Sequence, residues 1–400
     1  MSTDAASPPL TRIGPGEWVR KNLLSPWYNA LLTILGLWLV YVVGRGLITW
    51  AVTQARWEVV ADNIRLFLVG QYPPDQVWRL RLSLLVISLL LGLSGGTWEG
   101  AIRQFAFALG FGYLLLGLLP VGWASRGWLL GNGVAIGLGY GLLRRISGPQ
   151  NLRGLRRALV GGWLLSFPLT LFLLLGLPGN SLLPLVETHL WGGLLLTFLL
   201  ALVSIALSFP LGVLLALGRR SRWPAMRIFS ILYIELIRGV PLVTVLFMAD
   251  VMLPLFLPEG LRIDRLIRAL TGFTLFSAAY VAENVRGGLQ AIPEGQIEAA
   301  KALGLTGFPT TMLIVLPQAL RMVIPANVGQ FISLFKDTSL VAIMGLLELL
   351  GIGMAVLANP NYMGLQREVY VFIALIYGIF SYAMSHASRR LEIALGVGER

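Results

Sequence analysis

Long apolar runs separated by short polar loops repeat along most of the chain. Most of these runs approach the length of about 20 residues that a helix needs to cross a hydrocarbon core of about 30 Å. They lie at residues 28–48, 82–94, 105–121, 128–143, 159–177, 190–217, 239–257, 270–282, 323–346 and 369–384. The pattern predicts an all-α polytopic membrane protein with about ten transmembrane helices.

Arginine is concentrated in short loops between these runs, and the formal net charge is +12. Residues 144–157 contain five arginines and residues 219–227 contain four. Short loops rich in basic residues stay in the cytoplasm, so this distribution predicts that both chain termini are cytoplasmic. The same loops are expected to attract anionic lipid. No basic face is interleaved with aromatic residues, which argues against nucleic-acid binding.

The composition excludes several kinds of catalytic site. Hydrophobic residues make up 56% of the chain and charged residues 12%, with a mean hydropathy of +0.77. The absence of Cys excludes disulfides, thiolate metal sites and a Cys nucleophile. His189 and His386 are the only histidines, so a His-rich metal centre is excluded and both are expected at the membrane interface. No GxxxxGK[ST] sequence is present, so ATP is not bound here by a Walker A loop.

A turn-rich sequence divides the chain near residue 180, where Pro178, Gly179, Asn180 and Ser181 follow one another. We therefore expect a cytoplasmic tail at residues 1–27, a bundle of five spans at 28–180 and a second set of five spans at 181–400. No internal repeat relates the two sets. This argues against a secondary transporter built from inverted repeats.

Two Glu–Arg pairs lie near the ends of apolar runs in the second set. Glu235 and Arg238 stand three residues apart, and Glu283 and Arg286 repeat this spacing. Residues at i and i+3 share a helix face, so each Glu is expected to neutralise its own Arg. Either the pairs extend to water at the cytoplasmic ends of spans, or they form an inner gate or a contact with another subunit.

Polar residues inside the run 323–346 are candidates for a substrate pathway. Lys336 lies about 20 Å along the helix if the span begins near residue 323. It is followed by Asp337, Thr338 and Ser339. Charges at such depth are expected to face a protein interior or an aqueous path. A Lys ammonium would attract the carboxylate of an amino acid, although a structural Lys–Asp pair explains the sequence equally well. Asp250, inside the run 239–257, is a further candidate.

The stretch from Glu298 to Pro317 reads EAAKALGLTGFPTTMLIVLP. Glu298-Ala299-Ala300 is followed by Gly304 six residues after the Glu, and by Ile-x-Leu-Pro ten residues after that Gly. Alone, it could be a polar loop between two membrane helices. With all three features in register, it resembles the EAA loop of binding-protein-dependent ABC importer permeases. The pattern predicts a short amphipathic helix, broken near Gly304 and Pro309, that docks into a partner.

The resemblance extends to the polar amino-acid branch of these permeases. It rests on residues 233–242, 279–283, 286–292, 295–300 and 335–340, which read YIELIRGVPL, AYVAE, RGGLQAI, GQIEAA and FKDTSL. It is strong over about residues 188–390. Over 1–180 it is only architectural, because the larger general L-amino-acid permease subunits also carry extra spans before the shared core.

The resemblance implies a permease subunit of a bacterial inner-membrane importer of L-amino acids, with a five-helix type I permease core. Its expected partners are two ATPase subunits, a second and different permease, and a periplasmic amino-acid-binding protein. ATP would be bound by the ATPase, and this chain would hold no cofactor. Glu298 would anchor the coupling helix, Ala299 and Ala300 would allow close contact, and Gly304 would form its turn. The alternatives are a gradient-driven transporter or channel and a membrane-embedded enzyme.

Overall fold

The computed structural model describes residues 14–118, 122–146, 152–394 and 396. Within these residues the regular structure is helical, apart from three isolated β-bridges. The chain forms two compact units that divide between Ala61 and Asp62. Of the predicted tail at 1–27, residues 1–13 lie outside the described part. The remaining tail residues begin with helix α1, Pro15–Val19, which continues as a π-helical turn at Arg20–Leu24.

The first unit is dominated by helix α2, Trp27–Thr53, which contains the predicted span 28–48. None of its residues is buried. After α2 the chain folds back on itself. The indole nitrogen of Trp57 donates a hydrogen bond of 2.8 Å to the carbonyl oxygen of Ala51, and the Trp57 ring packs edge-on against Trp50. The short helix α3, Glu58–Asp62, follows.

In the second unit, four long helices precede residue 180. The helices of this region are α4 Ile64–Val69, α5 Val77–Thr97, α6 Ala101–Gly117, α7 Trp123–Ile146 and α8 Leu152–Leu175. Helices α5 and α7 approach closely because each has a glycine that faces the backbone of the other helix. A Cβ atom added at Gly92 would lie 2.2 Å from the carbonyl oxygen of Ile136, and one at Gly139 would lie 2.7 Å from that of Leu89. Small residues commonly permit such close packing in membrane helices.

A buried arginine joins α5 to the end of α8. Arg79 is fully buried and donates hydrogen bonds to the carbonyl oxygens of Leu173 and Pro184. The hydroxyl of Tyr72 donates to the carbonyl of Leu174. Burial raises the pKa of Tyr72, which keeps this hydroxyl protonated. The last carbonyls of a helix have no partner within it, so both side chains cap the C-terminus of α8.

The remaining helices follow in the order α9 to α17. They are α9 Gly193–Arg219, α10 Pro224–Arg238, α11 Leu242–Phe247, α12 Arg265–Gln290, α13 Glu294–Ala302, α14 Gly307–Pro309, α15 Leu316–Asp337, α16 Leu349–Leu357 and α17 Gln366–Ala394. Helix α14 continues through a π-helical segment, Thr310–Val315, directly into α15. Helix α12 packs against α9, α10 and α15, and its buried face includes Phe273, Val281 and Val285.

Each of the ten predicted runs overlaps a helix in the described part of the chain. Six described helices are long and apolar enough to cross a membrane by composition, and a bent pair makes a seventh. This pair, Pro224–Arg238 and Leu242–Phe256, bends by 105°. Helix α6 is shorter, and α7 and α12 are long but less apolar. The predicted all-α membrane fold is therefore confirmed. The run 239–257 corresponds only to the second arm of the bent pair. The first arm contains charged residues, which lower its hydropathy, so it was not predicted as a span.

The contact between α5 and α7 generates a prediction with a matched control. Gly139→Ala places a methyl group against the backbone of α5, whereas Gly137→Ala, on the same helix, enters open space. Overpacking of a rigid contact costs about 1–3 kcal/mol. We expect thermal unfolding in lipid nanodiscs to occur at a lower temperature for Gly139→Ala and to be nearly unchanged for Gly137→Ala. Equal transition temperatures would contradict the close packing of these helices.

Candidate functional site

Helix α13 contains the Glu-Ala-Ala sequence and has one buried and one exposed face. Ile297 packs against the hydrophobic cluster formed by α9, α12 and α15, and Ala300 is 3% exposed. These two residues stand three apart and therefore share a face. Glu298 and Ala299 point outward. Leu303, just after the helix, is 83% exposed. The helix thus presents a carboxylate, a small residue and an apolar side chain on a firmly packed support.

Gly304 ends this helix in a left-handed backbone conformation, with φ of +80°. The backbone N–H of Gly304 donates to the carbonyl of Lys301, and that of Leu305 donates to the carbonyl of Ala300. This pair of hydrogen bonds is the Schellman motif, in which glycine avoids the strain that a side chain would add. A Cβ atom at Gly304 would meet nothing within 4 Å, so the requirement for glycine comes from the backbone angle and not from crowding.

The predicted break in the helix lies at residues 303–306. Pro309 was also expected to interrupt the helix, but it lies in the first turn of the next helical stretch, after Thr306. The first N–H groups of a helix have no partner within it, so proline is well tolerated there. The second part of the expected break is therefore wrong. Gln318 on α15 bonds to Gln296 on α13 at 3.3 Å and helps to hold the two sides of the loop together.

The four predicted gate residues lie together in one ion-pair network that joins three helices. The carboxylate of Glu283, on α12, accepts a hydrogen bond of 2.8 Å from the Nε of Arg286. It also lies 3.6 Å from Arg238 on α10 and 3.6 Å from Arg219 on α9. Arg219 in turn forms a 2.9 Å ion pair with Glu235. The Arg238 guanidinium also lies over the ring of Tyr280.

One of the two sequence-predicted pairs is formed differently in the structure. Glu283 and Arg286 pair within α12 as expected. Glu235 and Arg238 do not pair with each other, although both are on α10. Glu235 pairs with Arg219, and Arg238 pairs with Glu283. Helical spacing brings i and i+3 residues to one face, but opposite charges on neighbouring helices are the nearer partners here. Sequence reasoning missed Arg219 as a partner because an arginine in a short loop indicates only membrane orientation.

The polar residues 336–339 lie where α15 ends and a 3₁₀ segment, Thr338–Met344, begins. Lys336 is exposed, Asp337 is partly buried and Thr338 is fully buried. Among the described residues neither Lys336 nor Asp337 has an ion-pair partner within 4 Å, so the structural Lys–Asp pair is not formed. The Thr338 and Ser339 hydroxyls bond back to the carbonyls of Phe335 and Lys336.

Asp250 lies in a π-helical turn, Met248–Met252, and is already paired. Its carboxylate is 3.0 Å from Arg268 and 3.3 Å from Arg265, both in the first turn of α12. Arg268 also donates to the backbone carbonyl of Asp250. Arg265 reaches the vicinity of Gly345, the residue that ends the 3₁₀ segment. The structure therefore shows Asp250 as part of a group with a net positive charge, not as an isolated carboxylate.

The comparisons with known proteins decide the family. Residues 208–392 match the family described as binding-protein-dependent transport system inner membrane component. The chain is 41% identical over 396 residues to the inner membrane amino-acid ABC transporter permease protein YhdY of Escherichia coli, covering 95% of this chain and 93% of that relative. The chain belongs to this permease family. It is a membrane transport component and not an enzyme, and in such systems the ATPase is a separate subunit.

Two further relatives align with different shares of this chain. It is 36% identical to the glutamate/glutamine/aspartate/asparagine transport system permease protein BztC of Rhodobacter capsulatus, covering 96% of this chain and 94% of BztC. It is also 36% identical to the probable glutamine ABC transporter permease protein GlnP of Bacillus subtilis, covering 51% of this chain and 92% of GlnP. The first half was expected to show only an architectural likeness, but YhdY and BztC align with it in sequence as well.

The permease has a buried carboxylate that sequence reasoning missed. Glu348 is fully buried and accepts hydrogen bonds from the backbone N–H groups of Leu350 and Gly351, at the start of α16. It also accepts a 2.9 Å hydrogen bond from the hydroxyl of Tyr377 on α17. That hydroxyl lies 3.4 Å from the hydroxyl of Thr338. Glu348 therefore connects α16 and α17 to the segment with the candidate pathway residues. Glu is not among the residues preferred at a helix N-cap, so the sequence carried no capping signal at this position.

The network around Glu283 predicts unequal effects for two identical substitutions. Glu283→Gln removes a charge whose side chain is 21% exposed and lies near three arginines, so we expect a loss of about 2 kcal/mol in unfolding free energy. Glu235→Gln changes a side chain that is 55% exposed and near one arginine, where solvent screening leaves little effect. Unfolding of both variants in neutral-lipid nanodiscs compares them directly. An equal or smaller effect of Glu283→Gln would contradict the network.

Proposed function

We propose that this permease imports L-amino acids and that α13 couples it to a separate ATPase. The observation that carries the proposal is the outward face of α13, which offers Glu298, Ala299 and Leu303 on a helix fixed by Ile297 and Ala300. The substrate class is supported by the printed names of YhdY and BztC, which align with almost the whole chain.

The proposed coupling is mechanical. The exposed face of α13 enters a groove of the ATPase, with Glu298 as a polar anchor and Ala299 permitting close approach. Ala300, which was expected to share this role, is buried and instead packs α13 against the permease. Binding of ATP closes the ATPase pair and favours one of two permease conformations, so the energy of ATP binding shifts a two-state equilibrium. ATP is held by the ATPase alone, because this chain lacks a Walker A sequence. The permease itself forms and breaks no covalent bonds.

The proposed substrate pathway includes Lys336, Asp337, Thr338 and Ser339. Its support is the exposure of Lys336 near the end of an apolar helix, where a charge is costly unless it faces water or a ligand. The Lys336 ammonium would attract the α-carboxylate of an amino acid, and Asp337 would attract its α-amino group. We place Asp250 in the same pathway as a member of the group that includes Arg265 and Arg268. There it would set the orientation of the two arginines.

Further partners follow from membership of a binding-protein-dependent system. We propose a periplasmic amino-acid-binding protein at the outer face and a second, different permease subunit beside this one. The ion pairs among Glu235, Arg238, Glu283 and Arg286 would close the inner end of the pathway or contact the second permease. Both termini would be cytoplasmic in a bacterial inner membrane, since the loops richest in arginine lie on that side in this topology.

We also propose that residues 181–400 form the permease domain and that 28–180 form an additional bundle of spans after a tail at 1–27. The family match at 208–392 lies within the proposed permease domain. GlnP supports the same division, since it aligns along 92% of its length with only about half of this chain. The buried contacts of Arg79 with the C-terminal end of α8 and with Pro184 would connect the additional bundle to the permease domain.

The test is amino-acid-stimulated ATP hydrolysis in proteoliposomes that contain the whole transporter. Glu298→Lys reverses the exposed charge of α13, and Gly304→Asp places a side chain in the left-handed position that ends it. We expect each to reduce stimulation at least tenfold, which corresponds to about 1.4 kcal/mol of lost coupling. Two variants are the matched controls. Glu259→Lys reverses an exposed charge in a loop outside α13, and Gly307→Asp adds a side chain at a helical position where a Cβ atom meets nothing within 4 Å.

Two results would contradict the proposal. One is full stimulation in Glu298→Lys and Gly304→Asp with the ATPase still assembled. The other is amino-acid uptake in the absence of any ATPase, which would favour a gradient-driven transporter.

A further inference from the structure

A recess lined by arginine lies at the end of α9. Its lining residues are Arg219, Arg220, Arg286 and Gln290, and its volume is about 330 Å³. The side chains of Arg219 and Arg286 are 24% and 30% exposed, so their guanidinium groups are partly withdrawn from solvent. Arginines that only fix topology in a short loop do not need to line a recess. A role in membrane orientation therefore does not explain why these arginines line a recess.

The charges around the recess do not balance. Arg219, Arg238 and Arg286 pair with the two carboxylates of Glu235 and Glu283, and Arg220 pairs with neither, so these four arginines exceed the carboxylates by two positive charges. Arg219 and Arg286 already participate in ion pairs. Arg220 donates a 3.2 Å hydrogen bond to the backbone carbonyl of Leu289, and no carboxylate in the described parts of the chain lies within 4 Å of it. The recess thus has spare positive charge and spare N–H donors, since a guanidinium carries five.

We propose that this recess binds a phosphate group. The planar guanidinium fork matches the oxygens of phosphate and binds them with two parallel hydrogen bonds. The volume is sufficient for a phosphate together with part of a lipid headgroup. The recess also lies where the candidate membrane-spanning helix α9 ends, and basic pockets between such helices on the cytoplasmic side bind anionic headgroups.

Phosphate binding at this position would act on the permease through α12. Arg286 pairs with Glu283, and the backbone carbonyl that Arg220 contacts belongs to Leu289, in the last turn of α12. Only residues 291–293 separate α12 from α13. A phosphate held by these arginines would therefore restrain the junction that supports α13. The side of the membrane and this consequence rest on the proposed function, whereas the binding itself does not.

The test compares two neighbouring arginines in the intact transporter. Arg220→Gln removes a residue of the recess, and Arg222→Gln removes the same charge from an exposed position two residues away. In nanodiscs of neutral phosphatidylcholine, the binding of inorganic phosphate and of a short-chain phosphatidylglycerol is measured by calorimetric titration. We expect Arg220→Gln to weaken binding about tenfold, which corresponds to one lost charge-assisted contact of about 1.4 kcal/mol. Arg222→Gln is expected to bind as the unmodified protein does.

The two probes distinguish the source of the phosphate. Binding of both supports a site for which free phosphate suffices, and binding of phosphatidylglycerol alone supports a lipid headgroup site. The proposal is wrong if neither probe binds, or if both substitutions weaken binding equally. It is also wrong if Arg220→Gln releases the ATPase without changing the affinity for either probe, because the recess would then receive an acidic group of the ATPase. Binding is measured without transport, so a failure of the proposed function would be seen separately.

Discussion

The burial of α12 between α9 and α15 is the constraint on which the functional features depend. The contacts are so close that a Cβ atom at Gly212 on α9 would lie 2.6 Å from a side-chain carbon of Val281. One at Gly288 would lie 2.5 Å from a side-chain carbon of Val323 on α15. Close-packed interiors resist deformation, so a force applied at one end of α12 is transmitted along it. Its first turn carries the arginines that hold Asp250, and its last turns carry Glu283 and Arg286.

The charged residues near the ends of α12 have different environments. At one end, Glu283 lies among three arginines contributed by three helices. Removing the carboxylate would leave those positive charges facing each other. At the other end, Asp250 is shared by two arginines of a single helix. A transporter that alternates between two conformations needs contacts that can be exchanged, and ion pairs between helices are more readily exchanged than a close-packed apolar contact.

The sequence was sufficient to predict the helical spans, because a continuous apolar run of membrane length can adopt few structures other than a membrane helix. It was also sufficient for the outward Glu298 and for the turn at Gly304, since a helix that needs a left-handed residue at its end selects glycine. The arm Pro224–Arg238 was not predicted as membrane structure because Arg227, Glu235 and Arg238 reduce its hydropathy. The pairing of those charges depends on which helices are neighbours, and spacing along one helix contains no such information.

Glu348 was missed for a related reason. A carboxylate between apolar runs indicates a boundary in the sequence, whereas its burial depends on Tyr377, which is 29 residues away. Likewise, the arginines at 219 and 220 indicate orientation in the sequence, but only the structure shows that they line a recess with Arg286. Local sequence patterns predicted the helices. The charged sites, in contrast, are formed by contacts between helices that are distant in the sequence.

The most direct test of the account is whether α13 contacts the ATPase. The chain contains no cysteine, so Leu303→Cys introduces a single thiol at an exposed position just after α13 and leaves Glu298 in place. A short thiol-anchored photo-crosslinker at this position, in membranes that contain the whole transporter, should produce a covalent adduct with the ATPase. The yield should change when ATP is added, and Glu259→Cys should produce no such adduct. If the Leu303→Cys variant yields no adduct, or if both variants yield the same adduct regardless of ATP, α13 is not the coupling element.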